Sequence, residues 1–184
     1  MRLRGSVGAC LVSCVRFLGA QEPPPPDAAT PEPEGRLEWS LAAGYGFTVK
    51  LSRGRSEEQL LLVAPAVAYP LSRRFELFVE GHLSGYFTPD GYMLGIVPIG
   101  GRYFFSAGAT QPYLALGAGF GWTNLEELDE LDRRFNYILQ ACAGVRWKSA
   151  WSLEARISHL SNAGTVLPNL GLNAIVFLGG WRFP

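Results

Sequence analysis

The sequence predicts an all-β protein, an eight-stranded antiparallel transmembrane β-barrel. Three observations predict it. Apolar and non-apolar residues alternate with period two through most of the chain beyond residue 36. The alternation returns in eight segments, most of them longer than the five or six residues usual for strands of soluble proteins. The face opposite the bulky residues is built largely of Gly, Ala and Ser, which suits a narrow barrel interior better than a solvated surface. Composition agrees. Charged residues are 17% of the 184-residue chain, below the roughly 25% of a typical soluble domain. The 16 Lys+Arg balance the 16 Asp+Glu, which argues against a broad basic footprint for nucleic acid. Three cysteines, Cys10, Cys14 and Cys142, cannot build a disulfide framework.

The elements follow in order. Residues 1–20 read as a secretory signal peptide: Arg2 and Arg4 open it, an apolar run follows, and small residues stand near Ala20. Arg16 interrupts that run, and Leu11-Val12-Ser13 before Cys14 offers a lipoprotein signal as a second reading. Residues 21–35 are a Pro-rich linker, since proline removes donors and favours extended backbone. Residues 36–184 form the barrel. Beyond the N-terminal region no 18-residue apolar stretch suits a membrane helix, and a barrel has none.

In the first barrel segment Leu37, Trp39, Leu41, Ala43, Tyr45, Phe47 and Val49 share one face, with Glu38, Ser40, Gly44, Gly46 and Thr48 on the other. Residues 60–69 are apolar on both faces. In the third segment Phe75, Leu77, Val79 and Leu83 oppose Glu76, Glu80, His82 and Ser84. Residues 92–103 have ambiguous parity. Leu114, Leu116, Phe120 and Trp122 then oppose Ala115, Gly117, Gly119 and Gly121. Tyr137, Leu139, Ala141, Ala143, Val145 and Trp147 oppose Asn136, Gln140, Gly144 and Arg146. Trp151, Leu153, Ala155 and Ile157 oppose Ser152, Glu154, Arg156 and Ser158. The last segment, 172–183, sets Ile175, Phe177, Trp181 and Phe183 on one side.

A bilayer demands closure, because an open sheet edge would leave unpaired donors and acceptors in hydrocarbon. The inward charges, Glu76, Glu80, Arg146, Glu154 and Arg156, then pair with one another, while Trp39, Tyr69, Trp147, Trp151 and Trp181 take girdle positions. Short turns at 70–73, 105–110 and 148–149 alternate with connections at 52–59, 87–90, 123–134 and 162–170. The longer ones face outward if both termini are periplasmic, as expected of such barrels. A soluble ligand-binding barrel of the lipocalin type is the alternative. It would put the large apolar residues inside. Scarce lysine, long strands and the small-residue face favour the membrane.

The richest chemistry lies at the end of the seventh segment. His159 and Ser161 are two apart and share the lipid-facing parity of Trp151 to Ile157. A serine beside a histidine can serve as nucleophile and base. Asn162, Asn169 and Asn173 are near in sequence, and an amide can donate to an oxyanion or orient the histidine through its other ring nitrogen. Asn173 opens the last strand on the parity of Ile175 and Phe177, on the side of His159. The plainer reading is a polar rim of turn-forming Asn and Gly.

The run HLSNAGTVLPNLGLN, from His159 to Asn173, resembles the catalytic signature of the PagL-type lipid A deacylases. The resemblance implies an eight-stranded barrel of the bacterial outer membrane, reached through the periplasm. It implies a serine esterase that hydrolyses the 3-O acyl ester of lipid A in lipopolysaccharide, with outer-leaflet lipid as partner and no cofactor or metal. It makes His159 the general base, Ser161 the nucleophile, Asn169 a contributor to the oxyanion site and Asn162 a support. At the position of Asn173 the family pattern has a glutamate, which orients the histidine and stabilises its charge. Asn173 can accept a hydrogen bond but brings no charge, so a non-catalytic structural or adhesive barrel on the same scaffold is the second reading. Glu154 points inward and cannot replace the acid.

Other residues take plainer readings. His82 is an interior partner of Glu76 and Glu80 in a polar network. Glu126, Glu127, Asp129, Glu130 and Asp132 make a solvated acidic loop, and Cys142 is an inert interior residue.

Overall fold

The computed structural model describes residues 35–49, 58–87, 90–125, 134–165 and 171–183. The signal and most of the linker, Cys14, the acidic residues 126–132 and Asn169 lie outside them. Eight antiparallel strands form a closed barrel: β1 (Glu38–Val49), β2 (Gln59–Pro70), β3 (Phe75–Phe87), β4 (Asp90–Phe104), β5 (Thr110–Thr123), β6 (Phe135–Trp147), β7 (Trp151–Ser161) and β8 (Leu172–Phe183). Each strand pairs with its neighbours in sequence, and β1 closes the sheet on β8 from Trp39↔Phe183 to Val49↔Asn173. The strands are 11 to 15 residues long. That is enough to cross a bilayer core when tilted, for which about 9–11 residues suffice.

The faces divide as the alternation requires. Trp151, Leu153 and Ile157 point outward and are more than half exposed, while Arg156 between them is 2% exposed. The outward apolar residues continue round every strand, and in water so large a patch would drive association. Facing hydrocarbon, it is the lipid-contacting band of a membrane barrel. Aromatics ring both margins. Trp39, Tyr69, Tyr103, Trp151 and Trp181 stand near the end where β1 begins and β8 finishes, and Phe47, Tyr92, Trp122 and Tyr137 near the other. Trp151 and Trp181, opposite each other across β7 and β8, meet edge to face at 4.7 Å.

The interior is layered. Near the end where β1 begins, charges pair off. The fork of Arg156 donates to both oxygens of Glu80 at 2.6 and 2.9 Å, and its Nε donates to Glu154 at 2.9 Å. Gln140 donates to Glu80 at 3.0 Å, and Tyr113 donates to Glu154 at 2.8 Å. Glu76 takes Arg102 and Arg146, while Arg182 reaches Glu38 at 3.0 Å. Arg146 also lies over the ring of Phe104 at 4.0 Å. Four carboxylates thus meet four guanidiniums, and the low-dielectric interior carries no net charge from this set. Toward the opposite end the large side chains are oily: Leu60, Leu62, Met93, Ile138, Leu160 and Leu172 are fully buried, with Ser84, Asn136 and Ser158 among them. Small residues were expected there. The second parity of residues 60–69 supplies part of this core instead, which explains why that segment is apolar on both faces.

Two proline positions shape the wall. Pro65 interrupts the ladder between β2 and β3, which resumes in the same register from Val63↔Leu83 to Ala66↔Glu80. In β4 the register shifts between Ile96 and Ile99, and both Pro98 and Ile99 turn outward. This bulge carries one extra residue, so inward positions are Met93, Gly95 and Val97 before it and Gly100, Arg102 and Phe104 after it. That change of face is the source of the ambiguous parity of 92–103. His82 is buried inside as expected, but its Nδ1 has no hydrogen-bond partner among the described residues. The expected network bypasses it, since Glu80 is taken up by Arg156 and Gln140.

Candidate active site

The β7–β8 hairpin builds the site. His159 and Asn173 are direct partners in its register, both on the outward face. His159 Nδ1 and Asn173 Oδ1 lie 2.9 Å apart. The amide oxygen only accepts, so Nδ1 carries the proton, which in the neutral ring leaves the lone pair on Nε2. That is the tautomer a general base needs. Ser161 ends the strand on the same face, opposite Tyr137 of β6. Two residues of strand separate its Cα from that of His159 by about 6.7 Å, so the two side chains stand side by side on the outer wall.

The turn after Ser161 is built by its own side chains. Ala163 N–H donates to Ser161 Oγ at 3.0 Å. Asn162 Oδ1 accepts from Gly164 N–H at 2.9 Å, and its carbonyl accepts from the Thr165 hydroxyl at 2.9 Å. Asn162 is buried, with 1% exposure. It fixes the chain leaving Ser161 by an Asx turn, which helps place positive φ at Ala163 and Gly164. Asn169, the expected oxyanion contributor, lies outside the described residues.

Gly171 belongs to the run from His159 to Asn173 that carries the family resemblance, but its part in the site emerges only from the fold. Its φ is +67°, and a Cβ there would fall 2.5 Å from His159 Cε1 and 3.1 Å from Nε2. Any side chain would displace the imidazole as well as strain the backbone. The signal in the sequence was a lone glycine two residues before Asn173, which also fits an ordinary strand entry.

A closed wall with an oily exterior, aromatic margins and a polar cluster at one rim defines a β-barrel of the bacterial outer membrane. The family described as Lipid A 3-O-deacylase (PagL) matches residues 32–182, and the chain belongs to that family. Of solved structures, the outer membrane enzyme PagL is similar at 18% identity and a TM-score of 0.66, over 79% of this chain and 99% of that one. Neisserial surface protein A (NspA) is similar at 14% identity and a TM-score of 0.58, over 79% of this chain and 95% of that one. No curated protein matches the chain.

Proposed function

We propose that this protein is a lipid A deacylase that hydrolyses the 3-O acyl ester of lipopolysaccharide from the outer face of its barrel. The observation that carries the reading is the His159–Asn173 contact on the lipid-facing wall beside Ser161, in a chain of this family. Lipid A holds its acyl chains in hydrocarbon and its phosphosugars in the headgroup layer. A nucleophile on the exterior near the rim meets that ester without extracting the lipid from the leaflet. In this reading the loop end faces outward, residues 1–20 are an export signal and 21–35 a linker.

The chemistry runs in two halves. His159 Nε2 takes the proton of Ser161 Oγ as that oxygen attacks the acyl carbonyl. Asn169 is proposed to donate to the oxyanion that forms. The tetrahedral adduct collapses, the sugar oxygen leaves, and the imidazolium returns the proton to it. Water then attacks the acyl-enzyme by the same route and frees the fatty acid. Asn173 holds the imidazole in the right tautomer and orientation, and Asn162 holds the turn that presents Ser161.

The test is the mass of lipid A before and after incubation with purified protein in detergent. Loss of one 3-hydroxyacyl group is expected, and it should vanish in His159→Ala and Ser161→Ala. A folded parent protein that leaves lipid A intact would overturn the reading. It would favour the non-catalytic barrel, whose support is the uncharged residue at 173.

A further inference from the structure

The cations of the barrel are unevenly shared between its two ends. At the end where β1 begins and β8 finishes, the turns, the entry to β1 and the nearest three residues of each strand hold Arg36, Arg73, Arg74, Arg102, Arg146, Lys148 and Arg182 against Glu38 and Glu76. That is an excess of five positive charges at neutral pH. The described residues at the opposite end hold Arg134 against Glu58 and Asp90. Glu38 and Glu76 are already shared among Arg102, Arg146 and Arg182, which line the lumen. Arg36, Arg73, Arg74 and Lys148 are exposed. Among the described residues, Arg36, Arg74 and Lys148 form no ion pair.

Each exposed cation has an oily companion beside it in the chain. Arg36 precedes Leu37 and Trp39, Arg73 and Arg74 stand between Leu71 and Phe75, and Lys148 is three residues before Trp151. These companions are exposed as well, on the lipid-contacting band or at its margin. The cations are spread round the barrel, at the start of β1, in the β2–β3 turn and in the β6–β7 turn. The β4–β5 connection, residues 105–109, carries no charge. The oily side chains set the depth. They hold the chain at the edge of the hydrocarbon, and a long cationic side chain leaving from there ends among lipid headgroups.

We infer that this basic margin gathers anionic phospholipid from the leaflet around it, which is the periplasmic leaflet in the orientation proposed above. The occupant is a lipid headgroup and not a soluble acidic protein, because the cations stand beside residues sunk in hydrocarbon and their charged ends lie in the headgroup layer itself. A guanidinium meets the phosphate of such a lipid bidentately. A zwitterionic lipid cancels its phosphate with its own ammonium, so a lipid of net negative charge is held more tightly. Catalysis at Ser161 has no part in this, since Ser161 stands at the other end of β7.

The tryptophans report on this margin. Trp39, Trp147, Trp151 and Trp181 belong to it, and Trp122 stands at the other end. The purified full chain is folded into phosphatidylcholine vesicles holding a minor fraction of phosphatidylglycerol. One lipid or the other carries brominated acyl chains, which quench tryptophan fluorescence. The relative association constant should favour phosphatidylglycerol about fivefold, the worth of one cation close to an anionic lipid surface. At about 1 M salt the Debye length falls to about 3 Å, and the preference should fall to near unity. Replacing all four exposed cations (Arg36→Gln, Arg73→Gln, Arg74→Gln and Lys148→Gln) should abolish it at low salt, whereas Arg134→Gln should leave it unchanged. Heat-dependent gel migration shows whether each variant is folded. Equal quenching by the two lipids in the parent overturns the inference. So does a preference that survives high salt, that survives in the folded fourfold variant, or that is lost equally in Arg134→Gln. The salt series needs the parent alone and decides the matter even where a variant fails to fold.

Discussion

Asn173 sits where the family resemblance expects an acid, and its amide oxygen fills only half of that role. It fixes the proton on Nδ1 of His159 through a 2.9 Å contact. In the proposed reaction it offers no charge to the imidazolium that would form as Ser161 is deprotonated. A charge worth about 1.4 kcal/mol to that state is tenfold in rate, so Asn173→Glu should raise kcat about tenfold or more. Asn173→Ala should lower it, with lipid A turnover as the measure. An Asn173→Glu variant slower than the parent would mean that the pair does not act as base and orienter. The placement of His159, Ser161 and Asn173 on one wall was legible in the sequence, because period two fixes the face and a hairpin fixes the partner. The contribution of Gly171 was not. Its need for positive φ and for an open space beside the imidazole arises from how closely the chain entering β8 passes His159 of β7. Asn162 was legible as a neighbour of the serine and, with Gly164, as turn material; the partners its side chain and carbonyl take were not, since they depend on where the chain goes after β7.

Among the elements, β4 shows most directly what alternation can and cannot reveal. Period two locates a strand, but one extra residue exchanges the faces beyond it, and nothing local in residues 92–103 marks which residue is extra. The structure assigns the surplus to the Pro98–Ile99 pair, both turned outward. Deleting Pro98 restores plain alternation, with Val97 inward, Ile99 outward and Gly100 inward. The barrel should therefore still fold after that deletion. Deleting Leu116 from the regular strand β5 instead turns one half of that strand inside out, putting buried Tyr113 and Ala115 toward lipid or Phe120 and Trp122 toward the interior. Heat-dependent migration of unboiled samples in detergent gels distinguishes the two outcomes. Folded-form migration should persist for the first deletion and disappear for the second. Closure itself was readable, since eight long segments with matching turns leave no edge for a bilayer to tolerate.

At the scale of the whole molecule the exterior is held by lipid and the interior by two different kinds of packing. Arg156 is the hub of the charged layer, with Glu80 and Glu154 both on its guanidinium. Replacing it with methionine keeps much of the volume and strands two buried carboxylates. Removing one partner of such a set costs about 3–5 kcal/mol. Urea unfolding in lipid vesicles should show a loss of that order for Arg156→Met, and a loss below about 1 kcal/mol would mean that water already serves those carboxylates. The pairing of inward charges was foreseeable from their parity. The oily layer was not, because Leu60 and Leu62 alternate with Leu61 and Val63 in a run where both faces look alike. That layer has a physiological consequence. Between the charged half and the rim the lumen is packed by Leu60, Leu62, Met93, Ile138, Leu160 and Leu172, with Ser84, Asn136 and Ser158 buried among them, and an ion crossing that layer would have to shed most of its water. Reconstituted in a planar bilayer under voltage, the protein should be electrically silent, and a cell that produces it in quantity should admit hydrophilic antibiotics no faster than before.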